Sequence, residues 1–315
     1  MPGDQSVTVA MPAWNAEPFL LDAARSVLAQ THADLELVIA DDGSTDGTLE
    51  LARSIRDPRV TVLTGPNRGK THTRNRAAAE RPSAYVALID ADDLWDPDKL
   101  ATQLAYLEAH PELAGVGSFM RYISSRGRVL GRTGTAIAAS DRGRIARAEW
   151  VPFPISSCLV VRRKAFDAVG GFDESLREGE DIDFLSRLAR HAPIACVPRA
   201  LGSYRIHPAS SMATSQQVIK MHTRFVRARL ARRDAGGDLA WSEFTASYAP
   251  TWRDRLRDRV EVWYRSAALW SGEGKPLRAL GYGLLAALGS PLYTFRRLYL
   301  QRLGRASPGG RSEAP

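Results

Sequence analysis

Cysteine is nearly absent from this chain: two in 315 residues, Cys158 and Cys196, each inside an apolar stretch and without a C-x-x-C neighbour. That argues against a disulfide framework or a thiolate zinc site and fits a reducing, cytoplasmic setting. No basic n-region precedes the first apolar run, Val7 to Ala13, which breaks at Trp14-Asn15 before reaching h-region length, so no secretion signal is expected. The uncharged run from Ala279 to Phe295 is 17 residues and holds Gly281, Gly283, Gly289, Ser290 and Pro291, too short and broken to span a bilayer. Internal repeats and low-complexity linkers are missing. After the first apolar run, Met11 to Glu17 is neither G-x-G-x-x-G nor a Gly-rich basic loop, which argues against a dinucleotide-dependent dehydrogenase and against a nucleotidyltransferase.

What is present is an ordinary folded composition, 44% hydrophobic and 25% charged, with a formal net charge of +8. The charge is placed unevenly. From Ser215 to Pro315 there are 18 Lys+Arg and 8 Asp+Glu, whereas the residues before it are slightly acidic. Such an asymmetry points to a basic module seeking an anionic partner, a membrane surface or a nucleic acid.

The first half alternates strand and helix signals. Val7 to Pro12, Leu35 to Ala40, Val60 to Leu63 and Tyr85 to Ile89 are short apolar, β-branched runs. Between them Glu17 to Gln30, Thr48 to Ile55 and Thr71 to Glu80 carry helical spacing. The pattern predicts an α/β fold with a mostly parallel sheet sandwiched by helices. Ligands of such sheets bind beyond the carboxyl ends of the strands, where the acidic clusters fall. Asp96 is expected to cap a helix with Pro97 at its first position. Further on, Ile155 to Val161 reads as a buried strand, Lys164 to Val169 and Asp181 to His191 as helices, and the chain from about Ser215 as a helical basic extension. The organisation expected is 1–98 and 99–214 as two halves of one domain, then 215–315.

Asp90-Ala91-Asp92 follows an apolar strand directly. Two carboxylates at that spacing can converge on one hard cation, Mg²⁺ or Mn²⁺, which keeps substrate phosphates in its shell; the plain alternative is that they end the strand and solvate the loop. Asp41-Asp42-Gly43-Ser44 ends the neighbouring strand. Its acids can accept from a base N–H or ribose hydroxyls, while Ser44 to Asp46 can cap the next helix.

Val9 to Asn15, Val38 to Thr48, Asn67-Arg68-Gly69 with Thr73-Arg74-Asn75, and Asp90-Ala91-Asp92-Asp93, taken in order over roughly residues 7 to 210, resemble an inverting family 2 glycosyltransferase of the GT-A fold. Thr73 stands where that family usually has alanine. The resemblance implies a nucleoside-diphosphate sugar donor, by default a UDP-sugar, and a saccharide or lipid-linked acceptor in cell-envelope polysaccharide or glycoconjugate synthesis. It implies that Pro12, Trp14, Asn15, Asp41, Asp42, Asn67, Gly69, Arg74 and Asp90 bind the nucleotide. Asp90, Asp92 and His207 would hold the metal. Gly179-Glu180-Asp181 supplies the catalytic pair, Asp181 taking the acceptor proton; these acids could instead complement the helix dipole, with Asp183 as a capping residue. Asp93 and Trp95 are expected at the acceptor, although Trp95 could equally pack in the core.

The basic segment is expected to lie as an amphipathic helix on the inner face of the cell membrane, or to be a helical subdomain with a solvated arginine face. Nucleic-acid binding through it would leave the acidic clusters without a purpose, so no nucleic-acid partner is expected.

Overall fold

The computed structural model describes residues 4–295 apart from 154 and 211–215. Strand and helix alternate as the apolar pattern predicts: β1 (Val7–Ala13), α1 (Leu20–Leu28), β2 (Leu35–Asp41), α2 (Thr48–Ser54), β3 (Val60–Thr64), α3 (Lys70–Ala79) and β4 (Tyr85–Leu88). β1 pairs in parallel with β2 and β4, and β2 with β3. Then come β5 (Leu94–Trp95), α4 (Lys99–Ala109), β6 (Gly115–Ser124), β7 (Val129–Thr133), α5 (Arg142–Ala146), α6 (Ile155–Cys158), β8 (Val160–Arg162), α7 (Arg163–Ala168), α8 (Glu180–His191) and β9 (Ile194–Ile206). The sheet runs β3-β2-β1-β4-β8-β6-β9-β5, with β7 beside β6. β8 joins β4 and β6 antiparallel, and β9 pairs parallel with β6.

Successive strand side chains point to opposite faces, and here both faces are covered. Val9, Met11, Leu37, Ile39 and Ala87 join Leu20, Ala23, Val27, Leu100 and Leu104 of α1 and α4 in one core. Ala10, Val38, Val86 and Leu88 join Ala77 and Ala78 of α3 and Phe184, Leu185 and Leu188 of α8 in the other. Burial of each such aliphatic side chain contributes about 1.5–3 kcal/mol. The consequence for function is geometric: the turns after β1, β2 and β4 leave the sheet on one side.

The chain after β9 is helical: α9 (Gln216–Asp234), α10 (Trp241–Ser247), α11 (Trp252–Gly272) and α12 (Pro276–Gly289). Phe225, Val226, Leu230 and Phe244 form a small core of their own with Leu176. Thr251 and Asp254 make a reciprocal capping box at the start of α11. Much of the basic charge is paired. Arg224 meets Asp258 at 2.8 Å, Lys220 reaches Asp258 and Glu261, and Arg229 meets Asp173 of the sheet domain at 2.9 Å. Ser125 after β6 donates from its backbone N–H and hydroxyl to Glu273. No helix among the described residues is long and apolar enough to cross a membrane. Arg296, Arg297 and the run on to Arg305 lie outside the described residues.

Three local expectations change. Asp96 does not cap α4, which starts at Lys99; its carboxylate pairs with Arg121 of β6, a partner invisible to local sequence. Ile155 to Val161 is not one strand but α6 followed by β8. Asp183 is a buried partner of Arg187 at 2.7 Å, one helical turn on, and makes no cap.

Candidate active site

The turns after β1 and β2 form a set of loops laced together by short polar side chains. Asn15, with a positive φ of 48°, donates its backbone N–H to Ser44 Oγ at 3.0 Å and accepts from Thr45 N–H at 2.9 Å. Asp41 accepts from Ser44 N–H and from the Thr64 hydroxyl. Asp42 accepts from the backbone N–H groups of Arg68 and Gly69 at 2.8 and 3.0 Å, anchoring the loop that opens α3. Gly43 has φ 70°, and a Cβ there would come within 2.9 Å of Asn67 N, so this turn requires glycine. The two acids are buried and hold the loops; they are not free acceptors standing in solvent. Trp14 is 58% exposed and Asn67 is exposed, so both present side chains at the rim, whereas Pro12 is half-buried in β1.

At the end of β4 the carboxylates part company. Asp90 accepts from Arg74 Nη2 at 2.8 Å and from the Ser156 hydroxyl at 2.7 Å. Asp92 lies 3.0 Å from His207 Nε2, and the His207 ring packs on Phe19. Arg205 donates to the Asp92 carbonyl and stacks over Phe19, fixing the end of β9 just before His207. Asp93 turns inward and accepts from Arg205 N–H at 2.7 Å. Burial, then the neighbouring Asp92 and Asp90, raise its pKa well above the ordinary carboxylate range.

Glu180 and Asp181 stand at the N-terminus of α8, after Gly179 in the left-handed region. Arg74 Nη1 donates to Glu180 Oε1 at 3.2 Å, so one guanidinium bridges the acidic turn of β4 and the start of α8. Lys70 adds a second cation, 3.3 Å from Glu180 and 2.9 Å from Glu178. Burial disfavours a charged Lys70, yet Glu180, Glu178 and Asp181 more than offset it and push its pKa up. Burial, then Glu180, raise the Asp181 carboxyl to about 6, and Lys70 and Arg74 keep it from rising further. A carboxyl poised there is mostly ionised at neutral pH and still basic enough to accept a proton.

The structure thus brings Asp90, Asp92, His207, Glu180 and Arg74 into one connected region, with Asp181 under the same cations. It changes three expectations. Trp95 is 4% exposed, donates its indole N–H to the Ser157 carbonyl and is covered by Lys99, so it is a core residue with no face for a sugar. Asp93 is likewise sealed and is a strand anchor, not an acceptor contact. Arg74 is buried with both terminal nitrogens on carboxylates, so its side chain is a brace between two acidic segments. Sequence reasoning also missed Ser156 and Lys70. The signal for Ser156 was there, two adjacent hydroxyls inside an apolar run at Ser156-Ser157.

Mg²⁺ or Mn²⁺ was expected on Asp90, Asp92 and His207. Among the described residues no group of three or more His, Cys, Asp or Glu is arranged to hold an ion. Asp92 and His207 form a suitable pair of donors, while both Asp90 oxygens are taken by Arg74 and Ser156. Such a two-ligand set fits a cation that completes its shell with phosphate oxygens.

A helix-covered sheet with acidic turns at the carboxyl ends of β2 and β4 defines an α/β protein of the GT-A type. The sequence model of glycosyl transferase family 2 matches residues 8–170, and the chain belongs to that family. An uncharacterized glycosyltransferase of Rickettsia conorii is 28% identical over 204 residues, 64% of this chain and 33% of its own length. The putative teichuronic acid biosynthesis glycosyltransferase TuaG of Bacillus subtilis is 38% identical over 104 residues, 32% of this chain and 41% of its own. The chain therefore spans less than half the length of either relative. The crystal structure of S. aureus TarS 1-349 in complex with UDP-GlcNAc superimposes with a TM-score of 0.58 at 16% identity, covering 90% of this chain and 91% of that one, a likeness of fold.

Proposed function

We propose that the chain transfers a sugar from a nucleoside-diphosphate donor to an acceptor hydroxyl with inversion at C1. The observation that carries this reading is the Arg74 bridge, which sets a candidate base, Asp181 beside Glu180, against the acidic turn of β4. In one displacement the acceptor oxygen attacks C1, its proton passes to the Asp181 carboxylate, and the C1–O bond to the diphosphate breaks with the electron pair going to the leaving group. Asn15, Asp41, Asp42 and Gly69 shape the nucleotide loops, with Trp14 and Asn67 at the rim. Asp92 and His207, with Asp90 beside them, would hold a divalent cation, which when bound neutralises charge on the departing diphosphate.

A UDP-sugar is the donor this reading favours, supported by the TarS complexes with UDP and UDP-GlcNAc. Cell-envelope polysaccharide synthesis, with a saccharide or lipid-linked acceptor, is supported by the likeness to TuaG, a putative teichuronic acid biosynthesis glycosyltransferase. Part of the charge of the basic helices is paired within the fold, through Lys220, Arg224 and Arg229. The test is a screen of nucleoside-diphosphate sugars for release of the diphosphate, with the anomer of the product read by NMR. A UDP-sugar that turns over, is blocked by EDTA and yields the inverted anomer is the expected result. A retained anomer would overturn the single displacement, and equal UDP affinity with and without EDTA would overturn the metal.

A further inference from the structure

The second helix of the α11–α12 pair has an outer face that the described residues leave uncovered. On its inner side Ala286 is buried, and the backbone at Gly289 lies so close to Val260 and Trp263 that an added Cβ would come within 2.5 Å of the valine. On the outer side Leu277, Leu280, Leu284 and Leu288 recur at helical spacing, 84%, 61%, 56% and 82% exposed. Elsewhere among the described residues large exposed apolar side chains are scattered, so this is the concentrated patch of the molecule.

Its charge environment says what covers it. From Gly274 to Phe295 the chain carries two cations, Lys275 and Arg278, and no Asp or Glu. Lys275 and Arg278, at the start of the helix, lie over the Trp270 ring at 5.0 and 4.8 Å, putting cations and an indole together at the edge of the leucines. A second copy of the chain would bring the same positive charge to the contact and be repelled. An anionic lipid surface supplies the opposite charge and an apolar layer beneath it. At 14 residues the helix is about 21 Å long, too short to cross the hydrocarbon layer, so it would lie in the interface.

We propose that α12 docks the protein on an anionic membrane, its leucine stripe in the acyl boundary and its cations on the headgroups. This deepens the lipid-linked acceptor in the functional reading, but its test needs no turnover, so the two fail separately. Full-length protein is sedimented with vesicles of phosphatidylcholine alone and of an equal mixture with phosphatidylglycerol. Binding should favour the mixed vesicles and fall as salt is raised. Leu284→Glu and Leu288→Glu should each weaken it about ten-fold or more, since each removes a leucine from the apolar layer, while thermal melting stays as in wild type. Should either variant melt early, Leu284→Ser gives the same reading with a milder change. No sedimentation with the acidic vesicles at low salt, or equal sedimentation of the variants, would overturn the proposal. So would light scattering that shows a dimer dispersed by Leu284→Glu, which would make the stripe a subunit contact.

Discussion

Among the long cationic side chains buried in the described residues, two sit on helices that cover opposite faces of one sheet. Arg74 of α3 is met by two carboxylates, Asp90 and Glu180, and its neighbours at the site include Lys70 and Asp181. Lys99 of α4 has no carboxylate; its ammonium donates to Gln103 Oε1 at 2.7 Å and lies 3.8 Å from the centre of the Trp95 ring. Burial of a charge is costly unless it is paired. The difference teaches that the paired cation organises chemistry, because it holds acids that water would otherwise disperse. The unpaired one is part of packing.

The largest effect should come from breaking the paired cation. Arg74→Met leaves Glu180 buried beside Lys70 alone and frees Asp90 from its brace. Removing one partner of a buried pair typically costs about 3–5 kcal/mol. Chemical denaturation should show a loss of that order together with loss of transfer, and Arg74→Lys should restore only part, since an ammonium cannot span two acids in the way a planar fork does. A stable, active Arg74→Met protein would show that the bridge is incidental.

Next is the acid those cations serve. Asp181→Asn should lower transfer by about 10²–10⁴-fold, the range of a positioned general base, with little change in stability. The wild-type rate should rise with pH through about 6 as Asp181 ionises. Its stability should move the other way. The folded pKa is above the ordinary 3.8, so the native state binds more protons between the two values and loses stability as pH rises through that window. The Asn variant should lack both features; a rate profile unchanged by the substitution would move the base elsewhere.

A smaller effect is expected at the nucleotide end, where acids are satisfied by backbone N–H groups instead of side-chain cations. Asp42→Asn keeps one oxygen for Arg68 or Gly69 but faces the other N–H with an amide donor. The loss should be about 1–3 kcal/mol, with a raised KM for the donor and a nearly normal kcat. A fall in kcat with KM unchanged would make Asp42 part of the chemistry.

How much of this was legible in the sequence follows from the range of each interaction. The alternation from β1 to β4 shows in local periodicity, and the Asp41-Asp42 and Asp90-Asp92 turns fall at strand ends because the chain itself ends the strands there. Arg74 was seen as a site residue but not as a brace, because its partner Glu180 is 106 residues away. The Asp96 pairing with Arg121 and the burial of Trp95 against Ser157 arise around β8, which enters the sheet antiparallel to both β4 and β6, an event without a local signature. The leucines of α12 were visible as an uncharged run, yet only the packing of Gly289 on α11 shows which side is left outward.

The unpaired cation gives the subtlest prediction. Burial pushes the Lys99 ammonium down to about 7 from an ordinary 10.5, and the Trp95 face and Gln103 oxygen do not restore it. In the unfolded chain the amine keeps its proton up to 10.5, whereas in the fold it gives it up near 7. Between those values the unfolded state binds more protons, so stability rises with pH across that window, by at most about 1.4 kcal/mol per unit. As pH falls through 7 the gain is gone, because both states are then protonated. Lys99→Met keeps the aliphatic length and removes the proton, so its stability should be flatter over the window and higher than wild type at acid pH, while transfer is unaffected. Urea denaturation at pH 6, 8 and 9.5 (about a unit either side of the shifted value and beyond) reads the slope directly. Parallel profiles for wild type and Lys99→Met would mean that Lys99 stays charged in the fold, and that a ring face and one amide oxygen stabilise a buried ammonium as well as the two carboxylates do for Arg74.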